Sequence, residues 1–187
     1  TWTKLLSDKL PTNAKGEAAF AASNTNIVIK GNDTWVVSGG KRARVFHSPD
    51  KGKTWKAVET PIVQGKTMTG IFTADFYDSK NGFIAGGDYE LPHQNSDNKA
   101  FTKDGGKTWE LTGQNLGFGY ASCIQYVPGS NAKQLVCVGS SGIQYSKDGG
   151  ATWTQLSNDS KFFTIRFINK NTAIAAGHNK LVQMNFK

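Results

Sequence analysis

The chain has 187 residues, enough for one domain with a sizeable core. Charged residues make up only 19% and glycines number 21, a balance that fits a turn-rich β protein and argues against a helical bundle. The net charge of +8 is carried mostly by scattered lysines, with one short cluster at Lys41-Arg42-Ala43-Arg44. Scattered lysine argues against a nucleic-acid interface, while an acidic partner, an anionic glycan or a membrane surface suits the charge. No apolar run has the length of a membrane-spanning helix.

In chain order, Thr1–Leu6 reads as a lone strand. Ala18–Ser23 with Asn26–Gly31, then Thr34–Ser38, Arg44–Ser48 and Trp55–Glu59 form the next group of extended segments. A second group is Phe72–Tyr77, Gly82–Ala85, Lys99–Thr102 and Trp109–Thr112. The third is Ser122–Val127, Gln134–Val138, Ile143–Ser146 and Trp153–Leu156. The last has three members, Phe163–Ile168, Thr172–Ala176 and Leu181–Phe186. No helix is predicted, because the candidate Leu5–Ala21 holds Pro11 and Gly16 and lacks a 3.6-residue apolar stripe. One long polar insertion, Gly86–Asn98, separates the second and third strands of the second group. A loop of that length on a small scaffold is expected to be functional or mobile.

An octet recurs in each complete group: Ser48-Pro49-Asp50-Lys51-Gly52-Lys53-Thr54-Trp55, Thr102-Lys103-Asp104-Gly105-Gly106-Lys107-Thr108-Trp109, and Ser146-Lys147-Asp148-Gly149-Gly150-Ala151-Thr152-Trp153. Its tail appears again as Thr1-Trp2, so the tryptophans lie 53, 54 and 44 residues apart. That is about one four-stranded blade per interval for repeats of this class. The physical logic is a hairpin clasp. The Asp accepts bonds from backbone amides just ahead, the Gly turns at positive φ, and the Trp anchors the returning strand. Asp50, Gly52, Trp55, Asp104, Gly106, Trp109, Asp148, Gly150 and Trp153 are therefore read as structural, not as acid/base groups or metal ligands.

These octets resemble the Asp-box, or BNR, repeats of sialidase-like β-propellers. The fold implied is an all-β propeller segment of about four blade units, with blades at 18–59, 72–112 and 122–156, a three-stranded blade at 163–186 and a lone fourth strand at 1–6. Two organisations fit. The termini could share one blade and close a four-bladed ring. Alternatively, the chain is the C-terminal part of a longer, for example seven-bladed, propeller, which is the expectation here. The first strand is expected to pair with the last blade's third strand, within one molecule or between two copies, whereas in a fragment of a longer propeller the missing blades would lie between these two ends.

The chemistry of sialidases requires an arginine triad, a Tyr–Glu pair and an acid/base Asp, and only Arg42, Arg44 and Arg166 are present. Xyloglucanase-type hydrolases carry near-identical boxes but need two catalytic carboxylates. The blade Asp75-Phe76-Tyr77-Asp78-Ser79-Lys80-Asn81-Gly82-Phe83-Ile84-Ala85-Gly86-Gly87, followed by the box ending in Trp109, is more similar to photosystem II assembly-factor-like propellers and their non-photosynthetic bacterial relatives. That resemblance implies a non-catalytic, extracytoplasmic binding or assembly scaffold, with a glycoside hydrolase as the alternative. Binding of a protein or glycan is expected on the face opposite the Asp-boxes. Candidates there are Arg42, Asp88, Tyr89, Glu90, His93, Phe118, Tyr120 and His178. No cofactor is expected, since no Gly-x-Gly-x-x-Gly loop follows a strand, and no metal site. Cys123 and Cys137 flank the turn at Pro128–Asn131. If paired residue numbers sum to 260 they lie opposite one another on one face. Two buried thiols are expected, with a cross-strand disulfide as the alternative.

Overall fold

The computed structural model describes residue 4, residues 10–21, residue 23 and residues 25–186. The expected strand at 1–6, apart from Lys4, and its pairing with the last blade lie outside the described residues. In chain order, β1 (Glu17–Ala18) precedes β2 (Ile27–Lys30) and β3 (Asp33–Val37), followed by β4 (Gly39–Gly40), β5 (Arg44–Ser48) and β6 (Lys56–Glu59). The second blade is β7 (Thr69–Phe76), β8 (Gly82–Asp88), β9 (Lys99–Thr102) and β10 (Glu110–Leu111). The third is β11 (Ala121–Tyr126), β12 (Leu135–Gly139), β13 (Gly142–Ser146) and β14 (Thr154–Ser157). The last is β15 (Phe162–Asn169), β16 (Thr172–Gly177) and β17 (Lys180–Asn185). Among the described residues there is no helix, and so none long and apolar enough to cross a membrane.

Each blade is an antiparallel meander. The first runs β2-β3-β5-β6 and the third β11-β12-β13-β14. In the second, β1 and β4 extend the sheet beyond β7, through the single pair Gly39↔Gly70. The segment before Ser23, expected to belong to the first blade, thus contributes its ordered strand to the second blade's sheet. The reason is local: Gly39, Gly40 and Gly70 carry no side chains, so the backbones can meet. A Cβ on Gly70 would come within 2.4 Å of the Gly39 Cα.

Stacked blades bury their inner strands on both faces, so β8 and β12 are buried at every residue. Alternation along these strands divides the core into three layers. Trp35, Ile71, Phe76 and Ile84 fill the first interface. Phe83, Ile124, Leu135 and Cys137 fill the second. Cys123, Val136, Val138 and Ile165 fill the third. The facing rings of Trp35 and Phe76 stack with centroids 3.7 Å apart. The outward faces of the two terminal blades keep apolar residues exposed: Ile27 and Ile29 on one, Ile168 and Leu181 on the other.

The innermost strands β11 and β15 are sheet edges, and their backbone donors find partners in neighbouring blades. Ile124 N–H donates to Thr73 Oγ1 (3.0 Å) and Tyr126 N–H to Asp75 Oδ2 (2.7 Å). Phe167 N–H donates to Gln125 Oε1 (3.0 Å). Side chains on one inner strand therefore tie down the next.

The cysteine register differs from the expectation. Ala121 pairs with Gly139, which sums to 260, but Ser122 is an extra residue and the next pairs are Cys123↔Val138 and Ile124↔Cys137. One bulge shifts the register by one, and a one-residue slip moves every side chain to the other face. Cys123 and Cys137 consequently enter different core layers as free, buried thiols.

Candidate functional site

One end of the blades carries the three Asp-box turns. Asp50 accepts bonds from Ser48 Oγ (2.9 Å), Thr54 N–H (2.8 Å) and Thr54 Oγ1 (2.7 Å). Asp104 repeats this with Thr102 Oγ1 (2.7 Å), Thr108 N–H (3.0 Å) and Thr108 Oγ1 (2.6 Å), and adds Lys107 N–H (2.9 Å). Asp148 repeats it with Ser146 and Thr152. The hydroxyl of the first octet residue accepts the glycine amide each time, at Gly52 (2.7 Å), Gly106 (2.9 Å) and Gly150 (2.9 Å). Those three glycines have φ of 86°, 87° and 94°, where a side chain would be strained.

Bonds from Thr54 hold the Asp50 carboxyl down at about 2. Burial pushes Asp104 up, but the bonds from Thr108 prevail and bring it to about 2 as well. Each carboxylate is thus committed to its own turn. The tryptophans are less uniform. Trp55 and Trp153 donate Nε1–H to the Gly52 and Gly150 carbonyls, both at 3.0 Å. Trp109 Nε1 is buried without a partner. In that turn it is Trp35, from the neighbouring blade, that donates to a box carbonyl, Gly105 O, at 2.9 Å.

The insertion lies at the opposite end. β8 runs on to Asp88, so the irregular part is 89–98. It is fastened to the connections between blades. Tyr89 N–H donates to Met68 O (3.0 Å), Val63 N–H to Asp97 O (2.7 Å) and Tyr120 N–H to Pro92 O (2.8 Å). Asp88 is buried and accepts from Lys66 Nζ (3.1 Å) and Glu90 N–H (2.9 Å). Burial pushes its carboxyl up, yet Lys66 and the backbone bonds leave it below the usual range. Lys99 is fully buried beneath the loop. Its Nζ donates to Asn98 Oδ1 (2.8 Å) and lies 4.8 Å from the Phe118 ring centroid. Burial brings its ammonium down to about 8.

At the same end, three equivalent bulges open into one cavity. Phe72 is the extra residue between Ile71↔Gly86 and Thr73↔Ala85. Ser122 is its counterpart on β11. Phe163 is the extra residue between Phe162↔Gly177 and Thr164↔Ala176. A glycine faces each bulge. A Cβ on Gly86, Gly139 or Gly177 would come within 1.9, 2.3 or 1.8 Å of the carbonyl oxygen of Gly70, Tyr120 or Lys161. The three bulged side chains, with Phe20, Tyr89 and Tyr120, line a cavity of about 480 Å³. Phe20 stacks on Phe72 with centroids 3.8 Å apart, Tyr120 meets Phe72 edge-on at 4.8 Å, and Tyr89 meets Tyr120 edge-on at 5.1 Å.

The predicted site residues divide on this map. Tyr89 and Tyr120 line the cavity. Asp88 is spent on holding the loop, and Glu90 and His93 are exposed on it. Arg42 is exposed and paired with Glu59. His178 is exposed in the turn between β16 and β17. Phe118, expected on the binding face, is 1% exposed and packs against Trp153 and Lys99, because its chain segment dives between two blades. Phe20, Phe72, Ser122 and Phe163 were not singled out from the sequence. The available signal was a glycine near the end of each second strand: Gly86, Gly139 and Gly177. Among the described residues, no cluster of His, Cys, Asp and Glu could hold a metal ion.

The family model of the BNR/Asp-box repeat matches residues 100–111 and 144–155. No curated protein sequence matches the chain. Among solved structures the chain is similar to a GH74 enzyme from Niastella koreensis, at 17% identity and TM-score 0.59 over 79% of this chain and 24% of that one. It is similar to YCF48 bound to D1 peptide, at 19% identity and TM-score 0.57 over 94% of this chain and 56% of that one. It is also similar to the computationally designed Ika4 protein, at 7% identity and TM-score 0.57 over 90% and 94%. The chain spans about a quarter of the GH74 enzyme and a little over half of YCF48. The repeated turn clasps, the blade-on-blade cores and these likenesses make the chain a four-bladed β-propeller arrangement built on BNR/Asp-box repeats.

Proposed function

We propose that the chain is a non-catalytic binding or assembly module that works outside the cytoplasm and holds a protein partner on the face opposite the Asp-boxes. The observation that carries this reading is the cavity on that face. Its walls are rich in aromatic rings and come from three successive blades and the segment that leads into the first blade, and among the described residues no carboxylate lines it. A glycoside hydrolase needs two carboxyl groups set across a bond. Here Asp88 is buried against Lys66, and the three box carboxylates are held in turns at the other end. The similar YCF48 has been seen with a peptide, which accords with a peptide-binding use of this fold. The resemblance of its blades to those of extracytoplasmic assembly factors supports the location. The GH74 likeness keeps a hydrolase as the rival.

The test screens the chain against peptide and glycan arrays and, in parallel, for hydrolysis of xyloglucan and sialosides. Peptide binding without turnover is expected, weakened by Tyr89→Ala. Turnover that disappears in Asp88→Asn or Glu90→Ala would refute the reading.

A further inference from the structure

The bulges at Phe72, Ser122 and Phe163 recur at one level of three successive blades, each opposite a glycine that admits it. Bulges re-aim side chains and gather next to functional sites. Here they turn three residues of inner strands into the same cavity, where regular pairing would have sent them elsewhere. Phe72 is buried at 4% exposure and forms the floor, while Tyr89 and Phe163 stand at the rim at 54% and 56%. A buried floor with exposed aromatic rims has the shape of an anchor pocket.

The polar groups of this cup decide what fits it. Among the described residues its lining holds four hydroxyls, on Ser23, Tyr89, Tyr120 and Ser122, and no charged or amide side chain. Ser23 Oγ already donates to Phe72 O, and the Tyr120 phenol, pushed up by burial, shares a bond with Ser122. A sugar would bring many hydroxyls to few partners, and unpaired buried hydroxyls are costly. Within the cup, Phe20 and Phe72 also cover each other's faces, which removes those two rings as a platform for a sugar ring. An apolar side chain has no such demands and gains from the rings. The charge of the whole chain favours one kind of carrier. A net charge of +8 draws acidic segments and repels basic ones.

We infer that the cup takes a bulky apolar side chain, aromatic or aliphatic, presented by an acidic segment of a protein partner. This rests on the binding-module reading above and names the chemistry of its partner.

The test uses the whole chain and four probes: N-acetylated, amidated tripeptides with tryptophan between two glutamates or between two lysines, a xyloglucan heptasaccharide, and dodecylphosphocholine below its micelle concentration. Binding is followed by NMR shift changes and titration calorimetry at low salt. The acidic tripeptide should bind, with shifts centred on the cup, and more tightly than the basic one. Phe163→Ser removes an exposed ring and should weaken it about tenfold. Ser122→Trp should fill the cup and abolish binding. Leu181→Ser, on the outer face of the last blade, should leave binding and melting temperature unchanged. Acidic-tripeptide binding that is indifferent to Phe163→Ser and Ser122→Trp in folded variants overturns the inference, as does an equal or stronger affinity for the basic tripeptide. Tighter binding of the heptasaccharide or of dodecylphosphocholine overturns it in favour of a glycan or a lipid. Hydrolysis of the heptasaccharide by the Phe163→Ser variant would instead sink the binding-module reading and leave the ligand class of the cup standing.

Discussion

Replacing Asp75 by Asn should change how stability depends on pH. Asp75 lies on β7 at the box end of the channel between the inner strands, with Tyr77, Gln125 and Tyr126 beside it. Its Oδ2 accepts Tyr126 N–H at 2.7 Å and its Oδ1 accepts Phe76 N–H at 2.9 Å. Burial pushes the carboxyl up to about 6, against the downward pull of those two amides and of the charges on Lys30 and Arg166. The side chain keeps some contact with water in the channel, yet protein surrounds it on most sides. Its reference value is 3.8, so the folded state holds this proton more tightly than the unfolded state. A raised folded-state value means a stabilising contribution that is complete below about 3.8 and lost as pH rises through about 6. A shift of about two units, at about 1.4 kcal/mol each, amounts to about 3 kcal/mol. About 2 kcal/mol of that falls between roughly pH 4 and pH 7.5. Asn keeps an acceptor for Tyr126 N–H and does not titrate. The stability difference between variant and wild type should therefore move by about 2 kcal/mol in the variant's favour over that range. Urea unfolding followed by tryptophan fluorescence, on both proteins across the range, measures it. The other carboxyls are common to both proteins and cancel. A gap that stays constant with pH, or grows in favour of the wild type, would refute the placement of Asp75.

Asp104→Ala strips four acceptor bonds from a turn, and should lower stability by about 1–3 kcal/mol, read as a fall in melting temperature with no change in peptide binding. Arg44→Met leaves Glu17, whose side chain is fully buried and bonded by Arg44 Nε at 2.8 Å, without its counter-ion. A loss of about 3–5 kcal/mol in denaturant unfolding is expected. Gly177→Ala drives a Cβ toward Lys161 O and should cost about 1–3 kcal/mol while disturbing resonances around Phe163. Neither cysteine should react with Ellman's reagent in the native chain, and both should react after unfolding, because burial pushes the Cys137 thiol well up and the two sulfurs lie in separate core layers. A native mass lighter by two hydrogen atoms, marking a disulfide, would contradict the register.

The sequence by itself determined the repeat, its turns and its blades. The reason is range: each clasp joins an Asp to groups two to four residues away, so its chemistry is complete within one octet. The four-strand rhythm followed from the same turns; Thr172–Gly177 lies within a residue of the expected segment, whereas β7 begins three residues earlier and β8 ends three residues later than expected. The chain's local pattern also placed Tyr89 and Tyr120 on the loop end, where both line the cavity. What the sequence left open was decided by how strands pair and by how blades pack on one another. A single bulge at Ser122 moved Cys123 and Cys137 to opposite faces, because strand register depends on which backbone groups pair and not on the distance to the turn. The same kind of bulge took Phe72 and Phe163 from strand to cup. Phe118 went the other way, from an expected surface ring to a core ring against Trp153, once two blades closed over it. Local hydrogen bonding can be read along a chain, whereas the direction a side chain finally faces depends on the neighbour that packs against it.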